Sequence, residues 1–558
     1  MSLGTRTAAL ERLASTTPEH PLDVLVVGGG ITGAGTALDA AARGLRVGLV
    51  EKRDFASGTS SKSSKLVHGG LRYLEQREFG LMREASTERD LLRRLAPHLV
   101  EPIPFVLPVS DRLRRAMFGV GLWAYDALAT FRNLKIHRHL DENETKMLVP
   151  ALRTSKVRGG YLFYDCKTDD VRLVMEVLVQ ARRYGAAVAN YAEVRSLEGS
   201  EQVCRADVAD TVGGTTFPVF ARRIIVAAGV WTDDVERLAD PTLDPRVRPS
   251  KGVHLVFRRD VLPMAEAAAF IPDAERKRML FVIPWLDAVL VGTTDTPYDG
   301  DINTPSVDEV DRRYCLDALN KTFGLSLDEG DIASAYAGLR PLLAGKADVT
   351  ADLSRRHDIY GIAPGITGIT GGKLTTYRRM ARDVVDKVSE EIAGPSRSKT
   401  KWIRLGSSNV NTLTHAVRGR ARKLGILEDA ASNLVRCYGD RALDILEIAR
   451  SEDLAGPLAP GCIPLAAEGI YGARHEMVTT LNDLLARRTR LALTDHAAGD
   501  GTGSLASELL SRELGWKGKE RRAQSAEHRR VIEAERGTPL AQGATKRSRR
   551  PSPRATAG

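Results

Sequence analysis

With 558 residues, 43% of them hydrophobic and 27% charged, the chain has an ordinary soluble-globular composition and is too long for one core, so two or more domains are expected. Five scattered cysteines, Cys166, Cys204, Cys315, Cys437 and Cys462, include no CxxC pair, which speaks against a zinc site or a disulfide scaffold and for a reducing compartment. The formal charge of +10 gathers near the C-terminus; no secretory signal pattern and no uncharged run long enough to span a bilayer are expected.

Residues 1–20 read as a flexible N-terminal arm. The first strong apolar run, Val24 to Val27, opens into Gly28-Gly29-Gly30-Ile31-Thr32-Gly33, followed by a small-residue helix over Ala34 to Ala42 and a second strand, Val47 to Val50, closing on Glu51. Strand, glycine turn, helix and acid in this order describe a dinucleotide site. Gly28 allows the tight turn, Gly30 lets the backbone approach a pyrophosphate, and Gly33 lets helix and strand pack closely. The helix N-terminus offers unpaired N–H groups to the phosphates. Glu51 suits ribose hydroxyls and would repel a 2′-phosphate, so the cofactor is FAD or NAD rather than NADP.

The string Thr59-Ser60-Ser61-Lys62-Ser63-Ser64-Lys65-Leu66-Val67-His68-Gly69-Gly70-Leu71-Arg72-Tyr73 combines hydroxyls, small residues and cations, suited to a second wrap around a flat cofactor. Helices are expected over Leu81 to Leu95 and Arg172 to Tyr184, and strands at Ile224 to Ala228, His254 to Phe257, Leu280 to Ile283 and Val289 to Gly292. Arg112 to Asp126, apolar with a basic flank, reads as a core helix, with a helix lying in a membrane interface as the alternative. The strand leading to Gly229 ends in small residues that a nucleotide can approach. Ala337 to Leu342 places Arg340 in a glycine–proline turn aimed at an anion, and Gly371-Gly372-Lys373-Leu374-Thr375 opens a helix. Glu391 to Thr400 reads as a linker. Beyond it, Val410 to Leu424 and Met477 to Leu493 carry amphipathic helical stripes, giving an all-helical domain over 401–515. Residues 516–558 read as a basic disordered tail.

Four strings, Thr59 to Leu74, Phe281-Val282-Ile283-Pro284-Trp285, Gly292-Thr293-Thr294-Asp295 and Gly371 to Arg378, resemble the signatures of the FAD-dependent glycerol-3-phosphate dehydrogenases of the aerobic respiratory type. The resemblance runs from about Pro21 to Leu493 and extends more broadly to the glycine/D-amino-acid oxidase class. It implies an α/β fold: a Rossmann-like FAD-binding region of the glutathione-reductase/D-amino-acid-oxidase kind over 21–392, with an interleaved substrate domain of mixed sheet, followed by the helical C-terminal domain. FAD would be held by Gly28, Gly29, Gly30, Ile31, Thr32, Gly33, Glu51 and Lys52. The second wrap would contribute Thr59, Ser60, Ser64, Lys65, Leu66 and His68, and the remaining contacts would be Gly229, Gly372, Lys373, Leu374 and Thr375.

The implied reaction is oxidation of sn-glycerol 3-phosphate to dihydroxyacetone phosphate, with electrons passed to membrane quinone. Arg72, Tyr73, Arg340 and Lys373 would bind the substrate, Arg340 would also stabilise a developing alkoxide, and His68 or His254 would move the proton. The implied enzyme is cytoplasmic and peripheral on the inner face of the cell membrane, with contact to lipid; a homodimer is left open. No resident metal and no specific nucleic acid is expected. The alternatives are an oxidase that reduces oxygen to hydrogen peroxide, and a non-catalytic FAD- or phosphometabolite-binding regulator.

Overall fold

The computed structural model describes residues 3–70, 78–110, 118–119, 121–123, 135–153, 155–273, 278–343, 356–407, 409–494 and 503–537. Its first layer is built on the parallel strands Leu22–Val27 and Val47–Val50, in register at Val27 and Val50. Val24, Leu25 and Val26 are fully buried, as expected for a strand covered on both faces. The sheet order is His357–Ala363, Ile366–Gly371, Thr216–Val226, Leu22–Val27, Val47–Val50, Ala187–Ala189. Helix Ile31–Ala42 packs against Asp170–Arg183 and Tyr377–Ala393, its alanines and glycines permitting close approach.

A second, mixed sheet forms the substrate side. Its long hairpin-like pair, Val247–Arg258 and Ile332–Leu343, runs antiparallel with His254 opposite Tyr336 and Ser250 opposite Arg340. Strands Ala288–Gly292, Arg278–Trp285, Ala268–Asp273, Glu101–Pro108 and Gly160–Lys167 continue it, and Leu66–Val67 closes the edge. Chain segments alternate between the two sheets, which makes the regions interleaved. The C-terminal helices Val410–Lys423, Glu428–Tyr438, Ala442–Ser451, Ala466–His475 and Gly503–Leu514 bury a separate core around Val417, Leu434, Ile445, Ile470, Leu481 and Leu510.

Four expectations are corrected. The N-terminal arm contains helix Arg6–Ala14, whose Leu13 is fully buried and whose Arg6 pairs with Asp210. Part of the expected tail is helix Gly518–Arg536, with His528 and Ile532 buried. Met477 to Leu493 is not one helix: Asp483–Arg488 is wound as a π-helix and Leu491–Thr494 forms a separate short turn of α-helix. Arg340 lies within strand Ile332–Leu343 rather than in a turn. Most of Arg112 to Asp126 lies outside the described residues, as do Arg72 and Tyr73. Among the described residues no helix is long and apolar enough to cross a membrane.

Candidate active site

The first turn forms as its glycine spacing dictates. Gly28 sits at φ +116°, and a Cβ there would lie 2.5 Å from the Ala227 carbonyl oxygen, so only glycine fits. A side chain on Gly33 would collide with the carbonyl of Gly28. Gly30 begins helix Ile31–Ala42 without a side chain over its end, and the Ile31 N–H donates to Ser60 Oγ at 3.0 Å. This leaves a helix N-terminus with the partial positive charge that a pyrophosphate requires. The Glu51 carboxylate accepts from the N–H of Gly29 at 2.6 Å and of Arg53 at 2.9 Å. Burial raises its pKa, and the two amides oppose that rise. Lys52 lies 4.4 Å above the Trp231 ring.

A cavity of about 460 Å³ runs along this turn, lined by Gly28, Gly30, Ile31, Thr32, Glu51, Lys52, Thr59, Ser60, Gly229 and Gly371 to Leu374. It is also lined by Ala192 to Arg195 and Trp231, which sequence reasoning did not single out. A second cavity of about 260 Å³ adjoins it, and the two share Thr59, Ser63, Pro341, Gly372, Lys373 and Leu374. Its walls bring together Ser64, Leu66, His68, His254, Arg340, Lys373 and Thr375, beside an apolar side of Phe105, Phe270, Met279 and Phe281. Gly29 and Gly33 line neither cavity and act from beneath the turn.

Arg340 is aimed by its neighbours. One terminal nitrogen donates to Asp295 Oδ1 at 3.2 Å; the other donates to Thr293 Oγ1 at 3.0 Å and to the Thr294 carbonyl at 3.1 Å. Asp295 also accepts from Ser250 Oγ. A Cβ on Gly252 would strike the Arg340 guanidinium, so that glycine makes room for it. Thr293 and Asp295 belong to one of the quoted strings but were given no role; their fixed position beside a glycine was the available signal.

His254 is 2% exposed. Its Nε2 is 2.8 Å from Ser64 Oγ and its ring stacks on Tyr336 at 4.9 Å. Burial first, then the charges of Lys65 and Arg340, push its pKa well below 6.5, so the ring is neutral at neutral pH. Nδ1 is buried and has no hydrogen-bond partner among the described residues. His68 also borders the cavity, with its N–H donating to Thr375 Oγ1 at 3.2 Å.

Lys65 is placed differently from the expectation that it contacts the cofactor. Its ammonium is fully buried, donating to the Ser61 carbonyl at 2.7 Å and to Asp170 Oδ2 at 2.8 Å. It lies 5.0 Å from the Tyr336 ring centre. Desolvation pulls its pKa down to about 8 against the opposing pull of Asp170. Asp170 in turn receives Ser63 Oγ at 2.7 Å and pairs with Arg490 of the C-terminal region. Lys65 therefore supports the wall from below.

A helix N-terminus facing a cleft, a buried carboxylate beside its turn and an adjoining chamber of arginine, lysine and histidine are the layout of a dinucleotide-dependent oxidoreductase. Residues 23–378 match the FAD dependent oxidoreductase family, and 398–521 match the C-terminal domain of alpha-glycerophosphate oxidase. Glycerol-3-phosphate dehydrogenase 2 of Mycobacterium tuberculosis is 39% identical over 95% of this chain and 90% of its own length. The aerobic glycerol-3-phosphate dehydrogenase of Staphylococcus aureus is 36% identical over 84% of this chain and 86% of its own. The solved glycerol-3-phosphate dehydrogenase of Bacillus halodurans, complexed with FAD, superposes with a TM-score of 0.78 at 30% identity, covering 96% of this chain and 98% of that one. The chain belongs to the FAD-dependent glycerol-3-phosphate dehydrogenase family. FAD is its cofactor, and the open turn, Glu51 and the Gly371 to Leu374 wall fit that group.

Proposed function

We propose that this chain oxidises sn-glycerol 3-phosphate at its secondary alcohol to dihydroxyacetone phosphate and passes the electrons to a membrane quinone. The observation that carries the reading is the chamber holding Arg340, Lys373 and His254 at the end of the dinucleotide cleft. Bound FAD supplies the hydride acceptor. Arg340 and Lys373 hold the phosphate; Arg72 and Tyr73, which the resemblance also implies in substrate binding, lie outside the described residues. An alcohol is a poor hydride donor until its proton leaves. A neutral imidazole can take that proton, and His254, held by Ser64 and Tyr336, is the better suited of the two histidines. The apolar side of Phe105, Phe270 and Phe281 keeps water from the reacting carbon.

Anaerobic addition of glycerol 3-phosphate to the yellow holoprotein tests this directly. Bleaching of the flavin band is expected, with glycerol far less effective; equal bleaching by both would refute the phosphate assignment. The match of 398–521 to an oxidase C-terminal domain favours one second reading, transfer to oxygen with release of hydrogen peroxide. Stopped-flow reoxidation by oxygen and by a soluble quinone analogue separates the two. Quinone reduction also requires attachment to a membrane, which we place at a peripheral, cytoplasmic face.

A further inference from the structure

Between Glu391 and Glu428 the sequence holds no acidic residue and eight lysines or arginines. The first half of this stretch crosses from helix Tyr377–Ala393 to the C-terminal helices. Here Arg397, Lys399, Lys401 and Arg404 are exposed around Trp402, which is 75% exposed. Among the described residues Trp402 therefore leaves most of its indole open to water. Ile403 and Leu405, on either side of Arg404, are buried, and the Leu405 N–H donates to the Leu95 carbonyl at 2.8 Å. The segment is therefore anchored from within, with Trp402 and the cations held outward. Lys401 lies 4.8 Å from the Trp402 ring centre. Arg397 and Lys401 border one groove with Arg382; its acids are Asp386, already paired with Arg43, and Glu390. Arg404 donates to the carbonyl of Arg94, which brings a further exposed cation to the edge. Among the described residues Arg397, Lys399 and Lys401 have no acidic partner.

We infer that this face, Trp402 within its ring of Arg94, Arg397, Lys399, Lys401 and Arg404, is the surface that docks on an anionic lipid membrane. The inference rests on the peripheral-membrane reading above and names its contact. A tryptophan ring with its polar edge suits the headgroup level of a bilayer. Unpaired cations beside it are drawn to anionic headgroups over about a Debye length. The occupant is lipid rather than nucleic acid because a lone outward indole among cations matches a headgroup layer, whereas a single-strand groove sets successive stacking rings along its cations.

The test is co-sedimentation of the FAD-loaded protein with phosphatidylcholine vesicles, with and without phosphatidylglycerol. Wild type should bind the anionic vesicles and come off at high salt. The triple variant Arg397→Glu, Lys399→Glu, Lys401→Glu should bind at least about tenfold more weakly, while keeping its flavin and its activity with a soluble dye. Brominated acyl chains should quench wild-type fluorescence, and Trp402→Phe should remove that quenching. A triple variant that binds like wild type, or quenching that persists in Trp402→Phe, overturns the assignment of this face and leaves the peripheral reading standing. Wild type that ignores anionic vesicles overturns both. Loss of binding to single-stranded RNA without any vesicle binding would show a nucleic-acid face and overturn the lipid proposal.

Discussion

Replacing Arg340 by alanine separates phosphate recognition from general basicity. The guanidinium is fixed by Asp295, Thr293 and the Thr294 carbonyl, and 24% of its side chain remains open to the cavity. A hydrogen bond from a cation to a charged partner is worth about 1.5–3 kcal/mol, so kcat/KM on glycerol 3-phosphate should fall about tenfold to a hundredfold. The same change removes the cation beside Asp295, whose side chain is 5% exposed. Because Arg340 itself is partly solvated, that loss should cost about 1–3 kcal/mol of stability, below the cost of breaking a fully buried pair. Arg340→Lys keeps the charge without the planar fork, so it should recover most of the stability and little of the activity. The assay is steady-state dye reduction on glycerol 3-phosphate and glycerol, with flavin occupancy read from absorbance and Tm recorded for each variant. An Arg340→Ala enzyme that is flavin-loaded and within about twofold of wild type on glycerol 3-phosphate would refute the reasoning. So would equal losses on both substrates.

Because His254 is held neutral to well below pH 6.5, the acid limb that it imposes on kcat/KM should lie below pH 6.5; a limb at or above that value which vanishes in His254→Gln would contradict the burial argument. The unfolded chain protonates this histidine near pH 6.5 and the folded one does not, so stability should fall as pH drops below that value, by up to about 1.4 kcal/mol per pH unit; denaturant unfolding should show a shallower slope in His254→Gln. Gly30→Val places a branched side chain on the phosphate path, where even a Cβ lies 3.2 Å from Ser60 Oγ; colourless or poorly folded protein is expected, and full FAD occupancy would sink the assignment of the turn. Asp54, fully buried and held near a pKa of about 2 by Arg488 and Arg487 against its desolvation, contributes stability present above pH 3.8 and lost as pH falls through about 2. Asp54→Asn should cost about 3–5 kcal/mol at neutral pH, and a change under about 1 kcal/mol in denaturant unfolding would show that the pair is idle.

The glycine turn was legible because strand, turn, helix and acid follow one another in the chain and Gly33 answers to the Gly28 carbonyl within the same turn, although the contact that restricts Gly28 comes from Ala227, far along the sequence. Arg340 was legible as a residue of interest, and it does line the chamber, but its place in a strand was not legible. Gly338 and Pro341 read as turn formers, whereas Gly338 is small because a Cβ would lie 2.6 Å from the Lys62 carbonyl oxygen, and Pro341 pairs with Pro249 across the sheet. Lys65 could not be placed from sequence, since its partner Asp170 is 105 residues away. The helix Gly518–Arg536 was hidden by its charge, yet His528, Ile532 and Arg536 recur every four residues on its buried face. Around Met477 to Leu493 the apolar stripe was real. The irregular winding follows from Arg487, Arg488 and Arg490, all of which turn inward to carboxylates of the FAD-binding region.

Those three arginines explain why the C-terminal domain belongs to the active site's foundation. The stretch from Glu51 to His68 carries the buried Glu51 carboxylate and one wall of both cavities, yet its only regular elements are the 3-10 turn Thr59–Ser61 and the two-residue strand Leu66–Val67. A serine-rich segment lining a cavity offers little apolar area to bury, so packing alone cannot order it. Ion pairs give direction without bulk. Arg487 and Arg488 grip Asp54 at one end, and Arg490 holds Asp170, which holds Lys65 at the other. Each buried charge is costly unless fully partnered, and here the carboxylates accept from several donors at once. The segment is thereby fixed at two points while the small and polar residues Ser57 to Ser60 face the first cavity. A C-terminal domain that only decorated the fold would have no need to bury three arginines under the cofactor loop.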